Sequence, residues 1–365
     1  MRKINAAVLG CGGMGFTIIN NIKPSPYIGE ITGYDINTER LKTARERFGV
    51  KVTDNIEDIW KDKSIELVYI AAPNYYHVPL AVDALKSGKA VMTEKPMGIN
   101  HEQIDEILKV QKETGGFLQV GLECRNYSRL YCRIKEFIDR GEIGQLVNVH
   151  FTYSNPPFPK DKATIWRVRK DISGSMCLEK LCHYIDLVRW WNGSRVNRYM
   201  AVKARNVIPY YEIADNFHVS YSFENGTISH LYFNATASHG GDYKLPEKDT
   251  DLFDQDRMGH KLNYVLVGTE GAIEADVFQR ELRLFHHAGK PGFQHAEKIV
   301  YVENWTKEQD HEYFHNTRAQ NLDIARRVAE GLGPAIEPWD AAETMRLCLE
   351  FEEAAERGGW EIVAR

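Results

Sequence analysis

At 365 residues the chain is too long for one small core, and a prior of about 100–200 residues per domain makes two domains the expectation. Hydrophobic residues at 43% and charged residues at 27% are ordinary for a soluble globular protein, and a formal net charge of −5 leaves no basic footprint for nucleic acid. No apolar run approaches the ~18 residues of a membrane span, so no membrane partner is expected either. The apolar run Ile4 to Leu9 reads as a buried strand; behind Met1-Arg2-Lys3 it is too short for a secretory signal. It enters Gly10-x-Gly12-x-x-Gly15, and Phe16 to Ile22 then carries the period of a helix. Strand, glycine turn and helix start in that order suit a dinucleotide. Gly10 permits the turn, Gly12 and Gly13 let the backbone approach a pyrophosphate, and Gly15 lets helix and strand pack closely. Met14 lies in the same turn, and the N–H groups of the helix start face the phosphates. Alone, this motif is equally at home in a tight turn with no ligand.

The second strand, Ile28 to Tyr34, ends at Asp35, 20 residues beyond Gly15. A carboxylate there accepts hydrogen bonds from the adenosine ribose hydroxyls and repels a 2′-phosphate, which favours NAD over NADP. Ile36 adjoins it, and Arg40 offers a 2′-phosphate some countercharge; Asp35 could also simply cap the helix Thr38 to Phe48. A short helical stretch, Glu57 to Lys61, precedes the strand Leu67 to Ala72, which ends at Pro73-Asn74 with His77 close behind. A helix from about Val78 to Ser87 closes at Gly88, and the strand Ala90 to Thr93 leads into Glu94-Lys95-Pro96. Both places are carboxyl ends of strands in a parallel sheet, where open α/β sheets place their ligands. Phe117 to Gly121 reads as the last strand of this half, and the repeated βα units predict a doubly wound sheet.

Beyond Gly121 the period changes. A helix from about Ser128 to Arg140 ends at Gly141, and strands follow at Val147 to Ser154, Asn197 to Val207 and Phe217 to Phe223. Asn225-Gly226 is a hairpin turn into Thr227 to Ala237. Residues 239 to 261 read as a polar, irregular excursion, and further strands are expected at 263–267, 272–277, 282–286 and 299–302. Thr317 to Gly331 and Ala341 to Arg357 are helical. The fold class is therefore α/β: an N-terminal Rossmann domain over 1–122 and a second α/β domain with a large, mostly antiparallel open sheet over 123–335. A C-terminal helix in 336–365 is expected to pack back on the first domain. Within the second half, Ser175 to Trp191 has the period of a helix, and at about 100° per residue Glu179, His183 and Asp186 share one arc. That arc is either a solvated face or a site. The six cysteines (11, 124, 132, 177, 182 and 348) form no CxxC pair and read as free thiols in a reducing compartment, with no metal expected and the cytoplasm as location.

In combination these motifs resemble the Gfo/Idh/MocA family, named for glucose-fructose oxidoreductase, inositol dehydrogenase and a rhizopine-catabolism protein. The resemblance rests on Gly10 to Gly15, Asp35, Pro73-Asn74-x-x-His77, Glu94-Lys95-Pro96, and Ser173-Gly174 followed by Glu179-x-x-x-His183-x-x-Asp186. Asp215-Asn216, Glu224-Asn225-Gly226 and Gly268-Thr269-Glu270-Gly271 also fit. It implies a homo-oligomer, dimer or tetramer, that moves a hydride between NAD and a secondary hydroxyl or ketone of a sugar, glycoside or inositol, with oxidation at C3 of a glycosyl unit as one specialisation. It implies that Lys95 and His183 are the catalytic pair, with Glu179 orienting the imidazole or binding a substrate hydroxyl. His183 suits the acid/base role and Lys95 the electrostatic one, although both residue types serve as bases and the reverse assignment stays open. Around the cofactor it implies Gly10, Gly12, Gly13, Met14, Asp35, Ile36, Arg40, Ala72, Pro73, Asn74, His77, Glu94, Lys95, Arg125, Trp166 and Arg167. Around the substrate it implies Lys95, Tyr153, Glu179 and His183, and Phe158 and Trp166 are further stacking candidates. The chain departs from the family pattern at Ser173, where glycine is common, at Glu179, where aspartate is, and at Arg129, where proline is frequent. Two other functions stay open: a hydrolase or lyase using held NAD for transient oxidation, and a non-catalytic NAD-binding sensor. The first branch's threonine-histidine-glycine segment is missing here, and the intact Lys95–His183 pair argues against the second.

Overall fold

The structure, a computed structural model, describes residues 1–158, 160–161, 164–235, 260–288, 295–357 and 360–362. The chain divides into two units, each assembled from separated stretches. The first comprises Met1–Tyr127, Lys170–His183 and Asn316–Leu349; the second comprises Ser128–Arg169, Tyr184–His315 and Glu350–Arg365. Boundaries after 122 and 335 are simpler than this, because two later segments return to the first unit.

In the first unit a sheet forms from β1 (Ile4–Leu9), β2 (Ile28–Tyr34), β3 (Lys51–Thr53), β4 (Ile65–Ile70), β5 (Ala90–Glu94) and β6 (Leu118–Gly121). Its order is β3-β2-β1-β4-β5-β6, with every pairing parallel, the doubly wound dinucleotide-binding order. The helices α1 (Gly13–Ile22), α2 (Thr38–Phe48), α3 (Glu57–Lys61), α4 (His77–Lys86) and α5 (His101–Thr114) connect the strands. The reading of the sequence omitted β3 and α5. Yet α5 carries its signals: Asn100 caps it by accepting from the Gln103 N–H, Ile104, Ile107 and Val110 bury one stripe, and Gly115 ends it in the left-handed region. Ile4 and Val8 of β1 and Ile18, Ile19 and Ile22 of α1 form a core that Ile324, Ala325 and Ala329 complete. These last three lie on the helix Thr317–Glu330, so a segment assigned by sequence to the second domain closes the core of the first. The buried Tyr69 hydroxyl donates to the Asn321 carbonyl at 2.8 Å and fastens the same helix.

The second unit is built on a sheet of nine strands among the described residues. They are β7 (Leu146–Ser154), β8 (Val196–Val202), β9 (Asn216–Phe223), β10 (Ile228–Asn234), β11 (Lys261–Gly268), β12 (Gly271–Asp276), β13 (Glu281–Ala288), β14 (His295–Asn304) and β15 (Trp360–Ile362), in the order β14-β13-β12-β11-β7-β10-β9-β8-β15. Only the β7–β10 pair is parallel; the other pairings are antiparallel. Alternation puts Val149, Phe151 and Tyr153 on the covered face, where Tyr131, Tyr184, Trp191 and Tyr264 pack around them. β8 stops at Val202, short of the expected Val207. The Asp215 carboxylate takes the Val207 and Ile208 N–H groups at 2.7 Å each and turns the chain away from the ladder. Residues 239–259 of the expected polar excursion, and 236–237 of the expected strand, lie outside the described residues. No helix among the described residues is long and apolar enough to cross a membrane.

The glycine turn imposes the tightest packing in the first unit. Gly10 has φ +94°, and a Cβ there would lie 2.6 Å from the Ala71 carbonyl oxygen. A Cβ on Gly15 would overlap the Gly10 carbonyl oxygen. Gly15→Ala is therefore expected to lower stability by at least ~2 kcal/mol, from forced overpacking against backbone. Urea unfolding followed by circular dichroism reads this, and an unchanged midpoint contradicts the packing role.

Candidate active site

The site grows from the carboxyl ends of the parallel strands. After β1 the turn leaves Gly12 at the N-cap of α1 and Gly13 with open space where a Cβ would be, and Met14 exposed. The first-turn N–H groups of α1 and this Cβ-free approach fit a pyrophosphate. At the end of β2, Asp35 is buried; its carboxylate accepts from the Cys11 N–H and the Asn37 N–H, both at 2.8 Å. It does not cap α2. That task falls to Asn37, whose side chain accepts from the Glu39 and Arg40 N–H groups. Asp35 instead ties its strand end to the glycine turn, with the Arg40 guanidinium 3.5 Å away and Ile36 exposed beside it. Burial and the Asp35 charge push the Cys11 thiol up to about 12, so it stays protonated.

After β4, Ala72, Pro73 and Asn74 lead into α4. Asn74 is buried, and its Nδ2 donates to Glu179 Oε2 at 2.8 Å and to the Ser173 carbonyl at 3.4 Å. His77 has a different role from the expected cofactor contact. Its two ring nitrogens face the Pro96 and Ala72 carbonyl oxygens at 2.8 Å each, so the ring clamps the loop after β4 to the loop after β5. Burial holds its pKa below the usual histidine value.

After β5, Glu94 is buried and Lys95 precedes Pro96 through a cis peptide bond. Lys95 Nζ donates to the Glu179 carbonyl oxygen at 2.6 Å. That carbonyl belongs to a π turn, Cys177–Leu181, which continues as the regular helix Cys182–Asn192. The expected single α-helix from Ser175 is thus interrupted, and about 100° per residue does not apply across Glu179. Gly174, at φ +82°, admits the approach of the Ile99 backbone, since a Cβ there would lie 3.0 Å from the Ile99 carbonyl oxygen.

After β6 stands a carboxylate that the sequence reading overlooked. Glu123 is buried, and its Oε2 lies 3.7 Å from His183 Nδ1. The ligand atoms of Glu123, Cys124 and His183 all fall within 4.8 Å of one another. The rule that drew attention to Glu94, a charged residue at the carboxyl end of a parallel strand, applies equally two residues beyond Gly121. Burial, reinforced by the Glu123 charge and opposed by Lys95, pushes the Glu94 carboxyl well above the ordinary range.

The first unit thus brings together Asn74, Glu94, Lys95, Glu123, Glu179 and His183. Other expected site residues have different company. Arg125 pairs with Asp340 at 2.5 Å. Tyr153 is fully buried in the second unit, packed on Tyr184 and Phe233, with its hydroxyl 3.2 Å from His260 Nδ1. In the same unit the Arg167 guanidinium covers the Phe158 ring at 3.9 Å, one turn of 3₁₀ helix carries Trp166 and Arg167, and Asp186 lies 3.9 Å from Arg189.

Residues 4–122 match the family model described as an oxidoreductase family with an NAD-binding Rossmann fold, and residues 131–274 match the GFO/IDH/MocA C-terminal domain. The chain belongs to the GFO/IDH/MocA family. An uncharacterized oxidoreductase of Bacillus subtilis (strain 168), YrbE, is 26% identical over 248 residues, 67% of this chain and 71% of that protein. An inositol 2-dehydrogenase of Salmonella typhimurium (strain LT2) is 28% identical over 194 residues, 51% of this chain and 54% of that enzyme. The chain thus spans about half the length of this inositol dehydrogenase. A levoglucosan dehydrogenase solved with NADH and levoglucosan shares the fold, at a TM-score of 0.81, with 20% identity and 100% of both chains covered. The first unit of this GFO/IDH/MocA protein is an NAD-binding Rossmann domain, in which Asp35 closes β2 beside the glycine turn.

Two outcomes follow for this domain. Asp35→Ala removes charged acceptors worth ~1.5–3 kcal/mol each, and is expected to weaken NAD at least 10-fold more than NADP; equal losses in a fluorescence titration contradict the assignment. Glu94, with its carboxyl raised, binds a proton in the folded state that the unfolded chain releases near the ordinary glutamate value of about 4.3. Its contribution is therefore full below that value and is lost as pH rises toward the raised one, by up to about 1.4 kcal/mol per pH unit. Urea unfolding across this range should show Glu94→Gln lacking the decline, whereas parallel curves contradict it.

Proposed function

We propose that this protein is a cytoplasmic, homo-oligomeric NAD-dependent dehydrogenase acting on a secondary hydroxyl of a sugar, glycoside or inositol, with C3 of a glycosyl unit as one position to test. The observation that carries this reading is the convergence of Lys95, Glu179 and His183 in the unit that holds the NAD-binding turn. The names of the matched inositol dehydrogenase and of the levoglucosan dehydrogenase support a polyol substrate.

NAD, when bound at the glycine turn, would supply the acceptor for a hydride, the carbinol hydrogen together with its bonding electron pair. The O–H proton must leave in the same process, and His183 takes it, since a neutral imidazole nitrogen is a proton acceptor suited to neutral pH. The C–O bond becomes a carbonyl. Lys95 steadies the oxygen as negative charge develops. One of its three N–H donors binds the Glu179 carbonyl, which aims the ammonium. Glu179, anchored through Asn74, is held where its carboxylate would meet a neighbouring hydroxyl of the substrate.

Formation of NADH at 340 nm across a panel of inositols, sugars and glycosides tests the reading. Lys95→Ala and His183→Ala are expected to lower kcat by about 10²–10⁴ while NAD affinity stays within roughly threefold. No NADH with any member of the panel, or full turnover in both variants, contradicts it.

A further inference from the structure

We propose that Glu123 is the positioning residue for His183: its carboxylate holds the proton on Nδ1, presents Nε2 as the proton acceptor, and stabilises the imidazolium formed when substrate is oxidised. The role in turnover rests on the dehydrogenase reading above; the pairing itself does not. Glu123 and His183 are each only 5% exposed. Their 3.7 Å separation, Nδ1 to Oε2, is an ion-pair distance, longer than a hydrogen bond. Neither group is open to bulk water, so the interaction between them is weakly screened.

The surrounding charges favour this division of labour. Glu123 and Cys124 face His183 from the end of β6. Glu94 and Lys95 stand at the neighbouring end of β5, where the Glu123 charge and burial favour a protonated Glu94. Two adjacent buried carboxylates resist carrying two negative charges together, and the proposal places the charge on Glu123, beside the imidazole. Glu179, on the same chain segment as His183, has one oxygen engaged by Asn74. Before proton transfer the Glu123 charge faces a neutral ring, and afterwards it faces a cation. The interaction is therefore stronger in the product of proton transfer than in the ground state, which is the condition for it to speed the step.

The test is a nitrogen-15 NMR titration of histidine-labelled full-length protein, with His183 assigned by loss of its signal in His183→Ala. The wild type is expected to show the Nδ1–H tautomer and a pKa at least about one unit above that in Glu123→Gln, with Glu123→Asp intermediate. The acid limb of kcat/KM should move down in Glu123→Gln by the same amount, with kcat reduced about 10–100-fold and NAD affinity unchanged. In a His183→Ala background, Glu123→Gln should cause no further loss. An unmoved His183 titration in both Glu123 variants overturns the pairing. So does one equivalent of metal in the purified protein that Cys124→Ser releases, because the three side chains would then be ligands. If the NMR shift appears but no polyol is oxidised, the dehydrogenase reading and the turnover role fall while the pairing stands.

Discussion

A single hydrogen bond, from Lys95 Nζ to the Glu179 carbonyl at 2.6 Å, joins the end of β5 to a segment 84 residues farther along the chain. The candidate site depends on that closure. The segment Lys170–His183 is surrounded in sequence by the second unit, yet it folds with the first. Asn74 grips the same segment through Glu179 Oε2 and the Ser173 carbonyl, and Gly174 lets it approach the Ile99 backbone. Strand ends supply Asn74, Glu94, Lys95 and Glu123, and the inserted segment supplies Glu179 and His183, the proposed acid/base. Neither half holds the constellation alone.

Buried charge is the second constraint. Glu94 and Glu123 lie at adjacent strand ends with Lys95 and His183 beside them. Isolated ions at such depth are costly, so each must share a proton or face an opposite charge. Burial and the Glu123 charge raise the Glu94 carboxyl, while the Glu179 carbonyl aims Lys95 Nζ.

Much of this was legible in the sequence. The glycine turn, Asp35 and the strand ends at Asn74 and Glu94 obey local rules that tertiary context does not alter. β1 and β2 begin and end where their apolar runs do. What escaped was non-local or broke a period. The return of Thr317–Glu330 to the first core depends on Ile324 and Ala325 meeting α1, which no local pattern reveals. The π turn at Cys177–Leu181 leaves a normal helical signature in composition while altering the angle between Glu179 and its neighbours. Tyr153 looked like a stacking ring because aromatics serve both roles; alternation along β7 places it inward. Glu123 was within reach of the same strand-end rule that singled out Glu94, and a two-residue offset from the strand hid it.

The most direct test of hydride transfer follows an isotope. Inositols and glycosides deuterated at their carbinol carbons are incubated with the protein and NAD in ordinary water, and the nicotinamide is examined by mass spectrometry and proton NMR. The account predicts one deuteron delivered to a single face of the reduced nicotinamide, with none exchanged from solvent. Reduced cofactor free of deuterium, or deuterium lost to water with no net reduction, would contradict it.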